Sequence, residues 1–155
     1  MHVVEALEMR GRLTVEINDA RGLLVDRIAA NNNIVLSGRD LVAKLFIKEV
    51  INPVSHVAVG TGTAAVTPAD AALATELFRK PMNPANASQN LSTTQDNKKK
   101  VTVTVDLDFG EANGALTEAG LFNAASGGVM YNRVVFPTIN KTPDFKLTLI
   151  WEIVF

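Results

Sequence analysis

Two segments in the second half of the chain alternate between apolar and polar residues, and this alternation constrains the fold more than any other sequence feature. In the first segment, one face would carry Val101, Val103, Val105, Leu107 and Phe109. In the second, one face would carry Phe145, Leu147, Leu149, Trp151, Ile153 and Phe155. Successive side chains of a strand point to opposite faces of a sheet, so each segment predicts a strand with one buried face. The chain must therefore build a sheet around an apolar interior.

The first part of the chain has the pattern of a β-hairpin over residues 12–36. Residues 12–17 alternate in the same way, and residues 18–22 (NDARG) are rich in turn formers. Residues 23–28 then supply the returning strand. Further short strands are predicted at residues 55–59, 116–122 and 129–136.

One amphipathic α-helix is predicted at residues 37–50. Ser37 opens it, and Asp40 three residues later is an acidic near-match to a capping box. Pro53 ends the helical pattern, because its ring cannot sit in a continuing helix. The apolar face expected to cover the sheet consists of Leu41, Val42, Leu45 and Phe46.

These elements predict one mainly β domain over residues 1–155. About seven short strands with turn signals at regular intervals indicate an antiparallel β-sandwich or flattened barrel, with the helix covering one face. Residues 81–100 contain two prolines and four asparagines but few large apolar residues. That composition predicts an exposed loop.

Composition excludes several function classes. The 155 residues include no cysteine and two histidines, and the formal net charge is −1. The absence of cysteine excludes a disulfide framework and a thiolate nucleophile. A net charge of −1 gives no bulk electrostatic attraction to nucleic acid or to an anionic membrane. No apolar stretch is long enough to span a bilayer, and residues 1–5 do not begin a secretory signal. We expect folding in a cytoplasm.

The glycine pair Gly60 and Gly62 is the first of two weak matches to catalytic patterns. It follows a strand but lacks the remaining residues of a phosphate-binding loop, so we interpret it as a turn that needs positive φ. Ser55 and His56 are the second match. As neighbours on a strand they should point to opposite faces, which separates a nucleophile from its base.

Acidic and basic residues are also given structural interpretations. Asp106, Asp108 and Glu111 cluster but lack the glycine-anchored spacing of a calcium loop, so we expect no metal. Glu76 and Arg79 are three residues apart, and we expect a local ion pair on a helical turn at the end of an alanine-rich segment. We therefore predict no enzyme and no cofactor.

Several short motifs resemble a known family in their order and spacing. The first block comprises residues 56–62 (HVAVGTG), 67–73 (TPADAAL) and 76–79 (ELFR). The second comprises residues 116–123 (LTEAGLFN), 127–130 (GGVM) and 134–136 (VVF), followed by Lys141. Together they resemble the amino-terminal attachment module of phage tail-collar fibre proteins, over roughly residues 35–155.

This resemblance implies a non-enzymatic structural protein of a tailed-phage virion or a related injection particle. Such a module attaches fibres or neighbouring ring proteins to the tail, baseplate, collar or neck, often as a trimer. The expected partners are copies of the chain itself, as a trimer or hexamer, and other virion proteins, but neither nucleic acid nor membrane. Assembly would take place in the host cytoplasm.

Two sets of residues follow from this hypothesis. The motif residues, interpreted as structural, are Gly60, Gly62, Glu76, Arg79, Glu118 and Gly120. The residues expected at contacts between subunits are Asn83, Asn86, Asn90, Lys98, Lys99, Lys100 and Phe155. The lysine triplet lacks interleaved aromatic residues, which favours a solvated loop end or an acidic neighbour over nucleic acid.

Two alternatives remain open from the sequence. A capsid decoration protein is also small, β-rich and multimeric. A carbohydrate-binding module is less favoured, since sugar platforms expose several aromatic rings. Here Trp151 lies on the apolar face of its strand, and Tyr131 is the only tyrosine.

Overall fold

A computed structural model describes residues 9–155, so the expectation about a leader falls outside the described residues. The strands are β1 (Arg10–Asn18), β2 (Leu24–Ile34), β3 (His56–Gly60), β4 (Glu76–Pro81), β5 (Leu91–Thr93), β6 (Lys99–Leu107), β7 (Gly114–Phe122), β8 (Met130–Lys141) and β9 (Lys146–Val154). The helices are α1 (Leu36–Phe46) and the single-turn α2 (Ala87–Asn90).

The nine strands form one antiparallel sheet in the order β4-β3-β7-β8-β2-β1-β9-β6-β5, curled into a half-barrel. The prediction of a mainly β, flattened-barrel fold is confirmed. Residues 9–155 contain two more strands than the seven predicted, namely β4 and β5. Their sequences, ELFRKP and LST, show no regular alternation, so no periodic pattern marks them.

Asn83 and Lys80 connect the end of β4 to β6. The backbone N–H of Asn83 donates to the Thr104 carbonyl at 2.8 Å, and its side chain donates to Thr104 Oγ1 and Asp106 Oδ2, both at 2.9 Å. Lys80 Nζ donates to the Asp106 carbonyl at 2.9 Å. These hydrogen bonds link the end of β4 directly to β6, although the two strands are not neighbours in the sheet.

The interior is built from the alternating residues predicted to be buried. Val105, Leu149 and Trp151 are at most 1% exposed. Strand β9 lies between β1 and β6, with Trp151 opposite Leu13 on one side and Val103 on the other. The alternation therefore identified the inward face of β6 and β9 correctly.

Strands β3, β7 and β8 are covered on their outer face as well. There Ala58, Phe122 and Met130 form a second apolar cluster with Val35 and Leu73. Leu73 belongs to residues 61–75, which contain no helix or strand and which we call the strap. The strap gives this part of the sheet two buried faces, which explains the nearly continuous burial of β7.

Helix α1 begins one residue before its predicted start and ends four residues early. Ser37 is not the cap: its hydroxyl donates to the Met130 carbonyl at 2.7 Å and ties the helix to β8. Lys48 adopts a φ of 61° and ends the helix. The N–H groups of Lys48 and Glu49 donate to the carbonyls of Leu45 and Lys44, the pattern of a Schellman motif.

The predicted apolar face of α1 is only partly buried. Leu41 is 2% exposed, but Leu45 is 41% exposed and Phe46 is 91% exposed. The expectation that Phe46 covers the sheet is therefore wrong, because the helix stops there and the chain turns away through Lys48.

Residues 81–100, predicted as a loop, contain α2, β5 and the start of β6. Asn86 caps α2 by accepting a hydrogen bond from the N–H of Gln89 at 3.1 Å. Asn90 donates from its side chain to the Thr102 carbonyl at 2.9 Å. Within residues 9–155, no helix is both long enough and apolar enough to cross a membrane.

Candidate functional site

Glu118 is a fully buried carboxylate on the outer face of β7, and it holds the strap. Its Oε1 accepts hydrogen bonds from the N–H groups of Gly62 at 3.0 Å and Thr75 at 2.7 Å. Its Oε2 accepts from the N–H of Ala74 at 3.0 Å and from Arg133 Nε at 2.8 Å. One side chain therefore fixes both ends of the strap.

Arg133 on β8 completes this arrangement, which we call the latch (Glu118, Arg133 and Asp70). Its side chain is 2% exposed and also donates to Asp70 Oδ2 at 3.0 Å and the Ala64 carbonyl at 2.9 Å. Asp70 in turn accepts from the hydroxyl of Thr67 at 2.7 Å. The buried charges are thus paired and hydrogen-bonded, as buried charges must be.

The pKa values of both latch carboxylates are lowered. Burial, the largest single influence, raises the pKa of Glu118, but the N–H donors of Thr75, Ala74 and Gly62 together with Arg133 outweigh it. The same balance holds for Asp70, where burial is opposed by Thr67 and Arg133. Both groups are therefore held in the charged form.

Three glycines predicted as motif residues make room for this packing. Gly60 and Gly62 have no positive φ, so the interpretation as a positive-φ turn is wrong. A Cβ on Gly62 would lie 2.4 Å from the Ala74 Cβ, and one on Gly60 would lie 2.2 Å from the Thr75 carbonyl oxygen. A Cβ on Gly120 would lie 2.7 Å from the Asn132 carbonyl oxygen. Glycine is needed at these positions because neighbouring atoms come too close for a Cβ, and not because a turn requires positive φ.

Glu76 and Arg79 form the predicted ion pair, with 2.6 Å between Arg79 Nη2 and Glu76 Oε1. The pair lies on strand β4, not on a helical turn. A register shift opposite Val59 and Gly60 brings the two side chains together. Arg79 also donates to the carbonyls of Ala124 and Gly127 and stacks 3.8 Å from the Phe122 ring centre. It therefore anchors β4 to the turn between β7 and β8.

Ser55 and His56 are closer than predicted, since Ser55 Oγ lies 2.8 Å from His56 Nδ1. Ser55 precedes β3, so the alternation of a strand does not apply to it. Within residues 9–155, His56 makes no hydrogen bond to a carboxylate that would orient it as a base.

The acidic cluster near the end of β6 is engaged with lysines and polar side chains. Asp108 pairs with Lys146 at 3.0 Å, and Glu111 pairs with Lys80 at 2.8 Å. Asp106 accepts a hydrogen bond from the Thr148 hydroxyl at 2.7 Å. In the described part of the chain, no group of three His, Asp or Glu side chains is arranged to hold a metal ion.

The residues predicted at subunit contacts all make contacts within the chain. Besides Asn83, Asn86 and Asn90, Lys99 donates to Thr93 Oγ1 at 2.7 Å, and Lys98 and Lys100 lie 3.7 Å and 3.5 Å from Asp96 and Glu152. Phe155 is 39% exposed. Their role between subunits stays a prediction.

An open apolar cavity of about 240 Å³, which we call the end cavity, lies between α1 and the ends of β6 and β9. Leu121 and Tyr131 line it towards the interior, and Leu45 and Phe155 line it towards solvent. Beside it, Phe46, Ile47 and Val50 are 91%, 69% and 104% exposed, and we call them the apolar knob. Exposed apolar side chains next to an apolar cavity make this end of the molecule a candidate interaction surface.

No protein-family model matches this chain, and no curated protein or solved structure shows significant similarity to it.

Proposed function

We propose that the protein is a non-enzymatic structural component of a tailed-phage virion or related injection particle. It would be present in several copies as an adaptor of the tail, baseplate, collar or neck. The observation that carries the proposal is the end of the barrel, where the apolar knob and the end cavity lie side by side. A surface of this kind suits permanent docking, because leaving it in water is costly.

The motif resemblance supports the same role through the residues that carry it. Gly60, Gly62, Asp70, Glu118 and Gly120 lie in the matching motifs; two of them belong to the latch, and the three glycines leave room for the strap and for β8. The resemblance therefore involves residues that fasten the strap to the sheet. A rigid scaffold with an apolar docking end is what an attachment module requires.

The buried aromatic residues favour docking over sugar binding. Trp151 is 0% exposed and Tyr131 is 2% exposed, so neither forms part of a surface platform. The exposed aromatic residues at the apolar end, Phe46 and Phe155, lack the polar group that a tyrosine or tryptophan offers to a sugar hydroxyl.

Immunogold labelling of particles tests this proposal. Antibody against the protein is applied to particles released by cells that carry the gene, and purified particles are examined in parallel by mass spectrometry. We expect label on the tail, baseplate, collar or neck, at a constant number of copies per particle. Label confined to heads would replace this role with capsid decoration, and absence of the protein from purified particles would overturn the proposal.

A further inference from the structure

We propose that β2 accepts an extended segment of another protein as an additional strand, in the gap between β2 and β8. These strands are neighbours in the sheet, but only two residues of β2, Asn33 and Ile34, pair with β8. Residues 24–32 lie along β1 on one side, and within residues 9–155 no strand pairs with them on the other side. We call that unpaired side of residues 24–32 the open edge.

The gap forms an open cavity of about 250 Å³. Most of its lining is apolar, and the apolar residues come from β1, β2 and β8 and from residues 145–147: Ile17, Val25, Ile28, Ile139, Phe145 and Leu147. Ile139 and Leu147 are 5% and 1% exposed, so the cavity reaches the interior of the barrel. At the start of the open edge, Leu24 and Val25 are 47% and 51% exposed. A strand laid in the gap would remove these apolar groups from water, which favours its binding.

The backbone chemistry of the gap favours an extended chain as its occupant. A free strand edge presents N–H and C=O groups that another strand satisfies through regular hydrogen bonds. The open edge extends over about 30 Å at the usual rise of a strand. Across the gap, Pro137 lies within β8, and proline occurs in strands at edges and bulges, where its missing N–H breaks no ladder. Both sides of the gap therefore suit strand addition.

Asp26 gives the open edge its selectivity. It lines the cavity, and its Oδ1 accepts a hydrogen bond from the N–H of Arg27 at 2.7 Å. No cation within residues 9–155 forms an ion pair with it, since the Arg27 side chain pairs with Glu16. The Lys141 ammonium, which is close to the same cavity, donates instead to the Asp108 carbonyl at 2.8 Å.

This charge defines the chemistry of the incoming strand. A charge that points inward from an edge deters unselective strand pairing. A lysine or arginine on the incoming strand would pair with Asp26, whereas an acidic residue there would be repelled. The occupant that fits is therefore an extended segment with apolar residues at alternate positions and one basic residue among them.

Hydrogen exchange of the purified chain with a tethered peptide tests the open edge. The natural chain has no cysteine, so Thr138→Cys, at an exposed position lining the gap, can form a disulfide with the peptide CGGTVTKTVTVT. The tether gives the peptide an effective concentration of about millimolar, so weak pairing is still detected. We expect the amides of residues 24–32 to exchange more slowly, by about tenfold or more, than in the same variant carrying only CGG.

Two controls separate strand pairing from simple contact. Full N-methylation of the peptide after CGG keeps its side chains but removes its N–H donors, so the protection should disappear. The unmodified peptide tethered at Val50→Cys, which is 104% exposed beyond α1, should also leave residues 24–32 unprotected. Equal protection by the N-methylated peptide, or no protection by the unmodified peptide at Thr138→Cys, would overturn the inference.

A charge reversal in the Thr138→Cys chain tests the selectivity. With glutamate in place of its lysine, the peptide should protect the open edge less. Asp26→Lys should reverse that preference, whereas Glu49→Lys, at an exposed position beyond α1, should keep it. The same preference in Asp26→Lys as in the chain that retains Asp26 would overturn the occupant assigned to the gap.

The natural chain without peptide gives the remaining outcome. Protection of residues 24–32 that falls on dilution would show that a second copy fills the gap, and would overturn the assignment to another protein. This inference goes beyond the proposed function and does not rest on it. Failure of the peptide tests would leave the virion role to the labelling of particles, and absence from particles would not affect the peptide tests.

Discussion

At the residue scale, Glu118 and Arg133 determine how the strap is held. Glu118 is the one charged residue of β7, and Arg133 is one of two on β8, where Lys141 is the last residue of the strand. Two opposite charges on strands that pair could have indicated a buried ion pair, and this is the signal that the sequence reasoning missed. Glu118 was interpreted as structural, but its partners Arg133 and Asp70 were not identified.

Replacing Glu118 by Gln should destabilise the protein strongly. The substitution leaves Arg133 buried without its main partner and places an amide NH₂ against backbone N–H donors. We expect the free energy of unfolding in urea to fall by about 3 kcal/mol. The control is Glu111→Gln, whose partly exposed pair with Lys80 should contribute at most about 1 kcal/mol. Equal losses for the two variants would contradict this account of the latch.

Stability should fall at acid pH in a way that depends on Glu118. Its folded pKa lies below the ordinary value of 4.5, so the stabilisation is present above pH 4.5 and is lost as pH falls through the folded pKa. Asp70 contributes with the same sign. In denaturant titrations at pH values from 6 to 3, the free energy of unfolding should fall less steeply with decreasing pH for Glu118→Gln than for the natural chain. Parallel curves would show that the latch does not carry this dependence.

Gly62 and Gly110 form a matched pair for testing whether neighbouring atoms leave no room for a Cβ at Gly62. A Cβ on Gly62 would meet both Ala74 and Glu118, whereas a Cβ on Gly110 would meet nothing within 4 Å. We expect Gly62→Ala to cost about 1–3 kcal/mol and Gly110→Ala to be neutral or slightly stabilising. Thermal unfolding measures both, and a neutral Gly62→Ala would mean that the strap moves aside freely.

At the element scale, α1 shows where sequence patterns succeed and where they stop. The helix and its buried Leu41 follow from periodicity, but its end does not. Lys48 ends the helix in a positive-φ conformation that is uncommon for lysine, so no residue type marked the boundary. The consecutive apolar residues 45–47 are also too wide for one helix face, which was a sign that some of them are exposed.

Replacing Lys48 by Gly should stabilise the protein. Its φ of 61° is strained for any residue with a Cβ, and glycine removes that strain. We expect a gain of about 0.5–1 kcal/mol in the free energy of unfolding. Lys48→Ala keeps the strain and removes only the side chain, so it should leave stability nearly unchanged. A gain of the same size for both variants would point to the side chain instead.

Strands differ in how far their patterns reveal them. Strands β6 and β9 were predicted because each has one buried and one partly exposed face, which produces alternation. Strand β4 was missed because a register shift interrupts its alternation. The strap was not recognised as a cover, since its few buried groups, such as Leu73, give no periodic pattern and its anchor is a side chain on another strand.

At the scale of the whole molecule, the fold class follows from composition and alternation, whereas the docking end does not. The apolar knob and the end cavity lie where α1 ends, four residues before its predicted end, beside the open end of the curled sheet. That arrangement depends on how distant segments come together. It could not be inferred from local patterns, and it is the feature on which the proposed assembly depends.

The most direct test of the account is the mass of the natural chain in solution by light scattering, with negative-stain imaging of the same sample. The account predicts a discrete oligomer, a trimer or a hexamer, that appears as a closed ring. Because association with other copies would stabilise the folded chain, its melting temperature should also rise with protein concentration. A monomer of 16.6 kDa at every concentration, with a constant melting temperature, would contradict it.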